Sequence, residues 1–446
     1  MRLSDLKPCF EGVIPAVIAT SSADGTPNIT HLSRVRLVDD ERIALSNQFF
    51  SKTAQNLAEN PRASLLLIDP LTFDQYRLTL VYERTDRRGV VFDMLREDVE
   101  VVAALHGMQD VFKLRSADVY RVVEIERIAT ASAPADPSAA RAEHGVGAVA
   151  EFGRRLGRSS DLNAVVNTTM SGLAELFAYT HVVLMLLDES GTRLYTIASR
   201  GYEHEGVGSE VGVGDGVVGT VAAKCAPVRY GNARQVAKYA NSLRQAYEES
   251  GAIEPGREIA LPGLADAASV IAVPAMALGE LVGVLLVESH DRVAFGADDE
   301  DVLTSVAAMV ATAINLQRAQ DQAAEQPGEA PRKPGPQSTA STHVRYFEVD
   351  GSTFIDNDYL IKGVAGRILW SLLQQYEREG RTEFTNREVR LDPSLELPSF
   401  KDNFESRLLL LQRRLDERGA PIRIEKTARG RFSLVIEGGV RLDAAT

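Results

Sequence analysis

The hydrophobic and polar positions change their period twice along the chain. From residue 10 to residue 128, short apolar runs alternate with turn signals such as Asp24-Gly25, a pattern typical of β-strands. Short helices are predicted at Ser51–Glu59 and Asp93–Leu105. This region is therefore predicted to be a small β-barrel. Its strands are predicted at Val13–Thr20, Asn28–Leu37, Arg42–Ser46, Ala63–Ile68, Arg77–Thr85 and Asp118–Ile128.

Residues 143–322 mix helical and strand periods. Asp161 is the predicted N-cap of a helix that ends at Phe177. Acidic residues, which suit the positive end of a helix dipole, open a long helix at Asp298–Gln322. Its apolar stripe is compatible with packing on its own sheet and with pairing to a second copy. The pattern predicts an α+β domain with an antiparallel sheet.

The last region begins with short strands and continues with three helical segments. These are predicted at Val364–Glu379, near Asn386–Arg390, and at Lys401–Arg418. A hairpin follows, with its turn at Thr427–Gly430. Three helices followed by a β-hairpin give the outline of a winged helix.

Two segments rich in proline and small residues separate these regions. Residues 129–142 contain two prolines and residues 326–341 contain four, and large apolar side chains are missing from both. Such segments bury too little surface to offset the entropy of ordering, so they are predicted to be linkers. The predicted domains span residues 1–130, 143–322 and 343–446, with a linker at 323–342.

Composition limits the class of protein. The 446 residues are 44% hydrophobic and 25% charged, which fits a soluble chain of about three domains. The net charge of −13 excludes a protein that coats nucleic acid along its whole length. The C-terminal block is the least acidic part, since residues 343–446 carry 17 basic and 17 acidic side chains.

Cysteine usage and apolar runs predict a cytoplasmic protein without a membrane partner. Cys9 and Cys225 are the two cysteines, so a disulfide framework is excluded. Cys225 is interpreted as a buried, inert thiol. The N-terminus lacks the apolar region of a signal peptide. Val270–Leu278 and Leu281–Val287 are too short to span a bilayer.

The most informative motif lies where a strand leads into a helix in the first region. The helix start at Ser51, Lys52 and Thr53 offers hydroxyls, free N–H groups and one ammonium to a phosphate. Before them, hydrogen bonds to a polar ring system are expected from Ser46, Asn47 and Gln48. A plain alternative is that Ser51 and Thr53 cap the helix while Lys52 is solvated.

This region resembles the pyridoxamine 5′-phosphate oxidase-like, FMN-binding split barrels. The resemblance rests on VIPAVIAT, DGTPN, SRVRLV, LSNQFFSKT and NLAENPRASLLL. It implies FMN at a dimer interface, with haem or a deazaflavin in some relatives. It also places Ser33 and Arg34 near the cofactor, beside the residues named above. A basic substrate-binding tail is not evident, so oxidase turnover is not expected.

The second region resembles a GAF domain. The resemblance rests on VGDGVVG at 213–219, APV at 226–228, SVIAVP at 269–274 and GELVGVLLV at 279–287. It implies a pocket for a small molecule of unknown identity, or a signalling and dimerisation module. The polar segment 232–264 is a candidate lid.

Basic residues concentrate on the last helix and hairpin. Residues 400–431 carry 9 basic and 5 acidic side chains, as a surface that meets DNA phosphates and base edges would. RLLLLQRRLDERG, ARGRFSLVI and GVAGRILWSLLQQY resemble the recognition helix, wing and support helix of response-regulator winged helices. A solvated helix face or a protein-contact surface is the alternative. The candidate DNA-binding residues are Arg407, Arg413, Arg414, Arg418, Arg429 and Arg431.

These observations predict a multidomain α+β protein with a β split barrel, a GAF-type α/β sandwich on an antiparallel sheet, and a C-terminal winged helix. The predicted function is a homodimeric sensor that regulates transcription, with a flavin in the barrel and a ligand in the GAF-like pocket. The alternative is a flavin-dependent oxidoreductase with regulatory domains. The sequence indicates neither a catalytic residue nor a metal site.

Overall fold

In the computed structural model the described residues form three folded units, which pack against one another. The structure describes residues 1–11, 16–32, 34–47, 51–69, 74–105, 114–128, 145–231, 259–264, 266–291, 294–323, 341–395 and 404–445. The predicted linker at 129–142, residues 324–340 of the second predicted linker, and most of the candidate lid lie outside the described residues.

The first unit is one curled antiparallel sheet. Its strand order is β2-β1-β5-β6-β7-β4-β3. Strands β2 and β3 are consecutive in the chain but lie at opposite edges of the sheet. The prediction of one strand at Asn28–Leu37 was therefore wrong: the chain crosses between the edges there. The elements are β1 Ala16–Ser21, β2 Pro27–Leu32, β3 Val35–Leu37, β4 Arg42–Asn47, α1 Ser51–Glu59, β5 Arg62–Ile68, β6 Gln75–Asp86, α2 Val90–Leu105 and β7 Ser116–Ile128.

Alternation along the strands fills this barrel. In β5 every second residue is buried, because successive side chains point to opposite faces. Ile18, Leu65 and Leu78 are almost completely buried in the core. A 3₁₀ helix, Leu3–Glu11, adds its apolar side chains to the same core. The curled sheet fits the predicted split barrel.

The second unit is a six-stranded antiparallel sheet with helices on both faces. Its order is β10-β9-β8-β13-β12-β11. One face packs against α3, α4 and α6, and the other packs against α5. The elements are α3 Val146–Leu156, α4 Leu162–Phe177, β8 His181–Leu187, β9 Arg193–Arg200, β10 Glu210–Gly212, α5 Gly216–Lys224, β11 Val228–Gly231, β12 Ser269–Ala277, β13 Glu280–Ser289 and α6 Ala297–Ala323.

Helix α6 belongs to this core. Within the described part of the chain, the span 297–320 of this helix is the one segment with the length and apolar composition of a membrane span. Its residues Val306 and Val310 are almost completely buried against the sheet, as in the core helix of a soluble domain. This supports the first of the two interpretations of its apolar stripe.

The third unit combines a four-stranded and a three-stranded sheet around three helices. The larger sheet has the order β16-β15-β14-β20, and the smaller has the order β17-β19-β18. The elements are β14 Ser341–Phe347, β15 Thr353–Ile355, β16 Asp358–Ile361, α7 Gly363–Glu379, β17 Glu383–Thr385, α8 Asn386–Arg390, α9 Phe404–Glu417, β18 Ile422–Ala428, β19 Arg431–Ile436 and β20 Gly439–Ala445.

The second and third units share one hydrophobic core. Buried side chains of α4, α6 and β9 belong to the same cluster as those of α7 and α9. The barrel touches the second unit less extensively. Helix α2 lies against α5, and Lys7 Nζ lies 3.7 Å from Asp298 Oδ1. The third unit is thus docked on the second rather than tethered beside it.

Candidate functional sites

Helix α1 begins at Ser51, four residues after β4 ends at Asn47, as the motif predicts. Lys52 lies in its first turn, is exposed and forms no ion pair with a described residue. Free N–H groups of a first helical turn and an ammonium favour an anion. Of the other candidates, Ser33 and Gln48 lie outside the described residues, and the side chain of Ser51 is also outside them.

Thr53 is turned towards the sheet and not towards the predicted phosphate site at the corner between β4 and α1. Its side chain is buried, and its Oγ1 accepts a hydrogen bond of 3.0 Å from Asn28 Nδ2 on β2. Asn56, one turn later, donates to Thr20 Oγ1 on β1 at 3.2 Å. These contacts fasten α1 to the sheet. The prediction that the Thr53 hydroxyl faces a phosphate together with Ser51 is therefore corrected: Thr53 is an anchor of the helix.

Ser46 and Asn47 are also engaged within the barrel. Ser46 Oγ accepts a hydrogen bond from the Arg34 N–H at 3.0 Å and contacts the Arg34 carbonyl oxygen at 3.2 Å. Asn47 Nδ2 donates to Asp118 Oδ2 at 2.8 Å. Asp118 is buried, and its other oxygen accepts from Thr85 at 2.7 Å and from Ser116 at 3.1 Å. Sequence reasoning missed this carboxylate because its partners are far apart in the chain.

Arg34 and Arg36 lie beside the same edge of the sheet and face helix α2. The Asp98 carboxylate of α2 lies 2.8 Å from Arg36 Nη1 and 4.0 Å from Arg34 Nη2. Because α2 also lies against α5 of the second unit, this carboxylate links the candidate cofactor edge to the neighbouring domain.

The donor set present at the corner fits the phosphate of a flavin nucleotide. Lys52, the N–H groups at the start of α1 and the guanidinium of Arg34 are cationic or hydrogen-bond donors near the end of β4. When bound, a flavin supplies redox chemistry at its ring system. The described side chains would hold its anionic end, with Lys52 exposed for that contact.

The second unit has a largely apolar face under α5. Val218, Val221 and Ala222 of α5 pack on β-sheet side chains there. Cys225 ends this helix and is exposed, so the interpretation of a buried thiol was wrong for Cys225. The buried cysteine is Cys9, and burial raises the pKa of its thiol to about 12.

A polar cluster lies in the second unit where β8 begins and β13 ends. Glu288 Oε2 accepts the Leu264 N–H at 3.0 Å, and burial raises the pKa of Glu288. The His181 and His290 rings pack edge to face. The pKa of His181 is lowered, mainly by burial and secondly by the nearby His290. Among described residues no group of His, Cys, Asp and Glu has the geometry of a metal site.

Arg407 of α9 faces the second unit rather than solvent. Arg407 is 9% exposed, and its Nε donates to Glu189 Oε1 at 2.8 Å. Its guanidinium carbon also lies 4.1 Å from the centre of the Tyr195 ring, a cation–π contact. Burial alone would lower the pKa of Arg407, but Tyr195 and Glu189 raise it. The predicted exposed position of Arg407 is corrected.

Arg413 is engaged in the same interface, whereas Arg414 is buried within the third unit. Arg413 Nη2 donates to Asn163 Oδ1 at 2.6 Å and to Asn167 Oδ1 at 2.5 Å, both on α4. Arg414 is 6% exposed, and its Nε donates to the Leu360 carbonyl oxygen at 2.9 Å. The predicted exposed face is wrong for Arg414, which is held within the third unit by Leu360 and Glu417. It is half covered for Arg413, because α4 of the second unit lies against it.

The remaining predicted DNA contacts are exposed. Arg418 pairs with Asp358 at 3.2 Å, and Arg429 Nη2 donates to Gln320 Oε1 of α6 at 3.2 Å. Arg431 is exposed and forms no ion pair with a described residue. Lys426 of the hairpin also reaches the second unit, with its Nζ 3.1 Å from Asp161 Oδ2. Both α9 and the hairpin therefore contribute to docking.

Comparisons with known proteins agree with this architecture for the first two units. Residues 5–122 match the family model described as pyridoxamine 5′-phosphate oxidase. Residues 161–314 match the GAF domain model. The first match supports binding of a flavin cofactor by the barrel.

Individual proteins match smaller parts of the chain. An uncharacterized protein of Methanocaldococcus jannaschii is 36% identical over 50 residues, which are 11% of this chain and about a third, 34%, of that relative. An FMN-binding protein from Syntrophomonas wolfei subsp. wolfei is 17% identical, covering 28% of this chain and 88% of its own, with a TM-score of 0.24. The GAF domain of an Acinetobacter phosphoenolpyruvate-protein phosphotransferase is 22% identical, covering 40% and 95%, with a TM-score of 0.31.

The family models and the observed sheets together assign two of the three units. The curled sheet of residues 5–122 is a pyridoxamine 5′-phosphate oxidase-like domain, and residues 161–314 form a GAF sensor domain.

Proposed function

We propose that this chain is a sensory regulator in which a flavin-binding barrel and a GAF domain control a C-terminal winged helix that binds DNA. The observation that carries the proposal is the docking of α9 on the GAF domain through Arg407 and Glu189. A basic helix held by a sensor domain is an output that a signal can release.

The order of elements in the third unit supports a winged helix. Three helices, α7, α8 and α9, are followed by the hairpin β18–β19, and β17 completes its sheet. The capping box formed by Thr385 and Glu388 fixes the start of α8. In this fold, the last helix enters the major groove and the hairpin lies along the phosphates.

Docking and DNA binding use the same arginines and so exclude each other. Arg407 is buried on Glu189 and Arg413 is bonded to α4 in the docked arrangement, and a guanidinium held in this way cannot reach a phosphate. Signals that favour release therefore increase DNA binding, within the few kcal/mol that couple sites in regulated proteins. Arg418, Arg429 and Arg431 are exposed and give the docked form only weak affinity.

The test compares DNA retention by the full chain and by a release variant. We expect Glu189→Gln to retain a mixed promoter library more tightly than the wild type at low salt, with a steeper salt dependence. Glu437→Gln, which loses a surface partner of Arg423, is the matched control. If neither the wild type nor Glu189→Gln retains DNA at low salt, the DNA-binding output is wrong.

For the barrel, we propose that FMN binds at the corner between β4 and α1, with haem and a deazaflavin as the alternative cofactors. Lys52, the first-turn N–H groups and the Arg34 guanidinium hold the phosphate, while Ser46 and Asn47 border the ring system. The predicted contacts of Ser51 and Gln48 lie outside the described residues. The protein as purified should show the visible spectrum of a flavin, and a Soret band would replace flavin by haem. The proposal includes a homodimer in the cytoplasm, and light scattering measures the dimer mass.

A second candidate function is a flavin-dependent oxidoreductase, since the matching family model is named for an oxidase. Steady oxidation of a reduced nicotinamide by the FMN-loaded chain would favour this candidate. A flavin that is reduced once and not turned over favours the sensor.

A further inference from the structure

A cleft between the GAF domain and the third unit has the composition of an anion site. It has a volume of about 300 Å³ and lies between α4, the end of β9 and α9. Asn167, Arg200, Glu205 and Arg413 contribute its charged and amide groups. This size and mixed lining suit a small metabolite.

The Arg413 guanidinium is held in place with hydrogen-bonding capacity left over. Asn163 and Asn167 accept from one of its nitrogens. Its Nε is buried without a hydrogen-bond partner. The residue lines the cleft, and no described carboxylate forms an ion pair with it, so the guanidinium N–H groups that Asn163 and Asn167 do not use are donors for a bound acceptor.

The lining of the cleft carries two guanidinium groups, of Arg200 and Arg413, and one carboxylate, of Glu205. Arg200 is exposed and has no ion pair with any described residue. Burial lowers the pKa of Arg413, and the carboxylates of Glu205 and Asp416 raise it by smaller amounts. Asp416 is not part of the cleft lining. Arginine is the side chain that best matches the planar oxygens of carboxylates and phosphates.

We propose that this cleft binds a small molecule with a carboxylate or phosphate group, held by Arg413 of α9 and by Arg200 and Asn167 of the GAF domain. The two sides of the cleft belong to different units. A bound anion therefore contacts both units and stabilises the docked arrangement by mass action. This consequence rests on the docking scheme of the proposed function, whereas anion binding itself does not.

The experiment is a calorimetric titration of the full chain with malonate and, separately, with inorganic phosphate, at constant ionic strength in chloride. We expect saturable binding that is weakened about tenfold or more in Arg413→Gln and also weakened in Arg200→Gln. Glu205→Gln should tighten binding about threefold, since it removes a repulsive exposed charge. Arg423→Gln removes the same charge from the hairpin, away from the cleft, and should bind as the wild type.

Saturable binding of one probe only identifies the preferred group, carboxylate or phosphate. Equal binding by wild type, Arg200→Gln and Glu205→Gln overturns the site, as does a response that follows ionic strength alone. Arg200 and Glu205 have no hydrogen bond to the third unit among the described contacts, so these variants remain informative if Arg413→Gln fails to fold. A failed DNA experiment leaves these isotherms unchanged, which separates the two proposals.

Discussion

Arg407 and Glu189 form a two-pronged ion pair between α9 and the turn that joins β8 to β9, although 218 residues separate them in sequence. Both side chains are only 10% exposed. The pair therefore belongs to the shared core of the GAF domain and the third unit and is not a surface contact.

Removing one partner of this pair should destabilise the docked arrangement. Glu189→Gln leaves Arg407 buried without its carboxylate, which typically costs about 3 kcal/mol. The single tryptophan, Trp370, lies on α7 and stacks on Tyr346, so its fluorescence in urea reports on the third unit. Glu437→Gln breaks a surface pair and should cost less than about 1 kcal/mol. Equal midpoints for the two variants would contradict the docking role.

Lys52→Gln should weaken FMN binding and leave riboflavin binding unchanged. Lys52 is exposed at the start of α1, where it would contact the phosphate and not the ring. Loss of one charge-assisted hydrogen bond corresponds to about tenfold in affinity. Fluorescence quenching measures both ligands. Thr53→Val is the matched control, since Thr53 bonds to Asn28: we expect lower stability by about 1 kcal/mol and unchanged FMN affinity.

The two thiols should differ sharply in reactivity. Cys225 is exposed, whereas Cys9 is buried and its pKa is raised to about 12. Because the thiolate is the reactive form, one thiol per native chain should react rapidly with a disulfide reagent. Cys225→Ser should abolish this fast phase and Cys9→Ser should keep it. Two fast phases in the native wild type would be inconsistent with the buried position of Cys9.

Glu288 should make the GAF domain less stable as the pH rises. Burial raises the pKa of Glu288 in the folded state above its ordinary value of 4.5. Between pH 4.5 and this raised pKa, the folded state therefore binds more protons than the unfolded state. The stabilisation is complete below pH 4.5 and is lost as the pH rises through the folded pKa.

Urea unfolding at several pH values checks this sign. The stability of the wild type relative to Glu288→Gln should fall from pH 4.5 towards neutrality. A difference that grows in the wild type's favour with pH would reverse the assigned direction.

Local chemistry made several elements predictable from the sequence. Asp161 is an N-cap as expected, accepting the Ala164 N–H at 2.9 Å, and the long helix predicted at Asp298–Gln322 spans Ala297–Ala323. Such features depend on neighbours within a few residues, so a linear pattern contains them. The break between β2 and β3 is not contained in a linear pattern, because it depends on closure of the whole sheet.

The sequence by itself determined the three regions, most of their helices and strands, and the concentration of arginines on the last helix and hairpin. Only the tertiary structure decided which of those arginines are accessible. Hydrophobic periodicity identifies an apolar stripe, but it does not show when a second, polar face is also covered. Arg407 is buried because Glu189 and Tyr195, distant in sequence, compensate its charge, and a pairing of that kind exists only once the chain has folded.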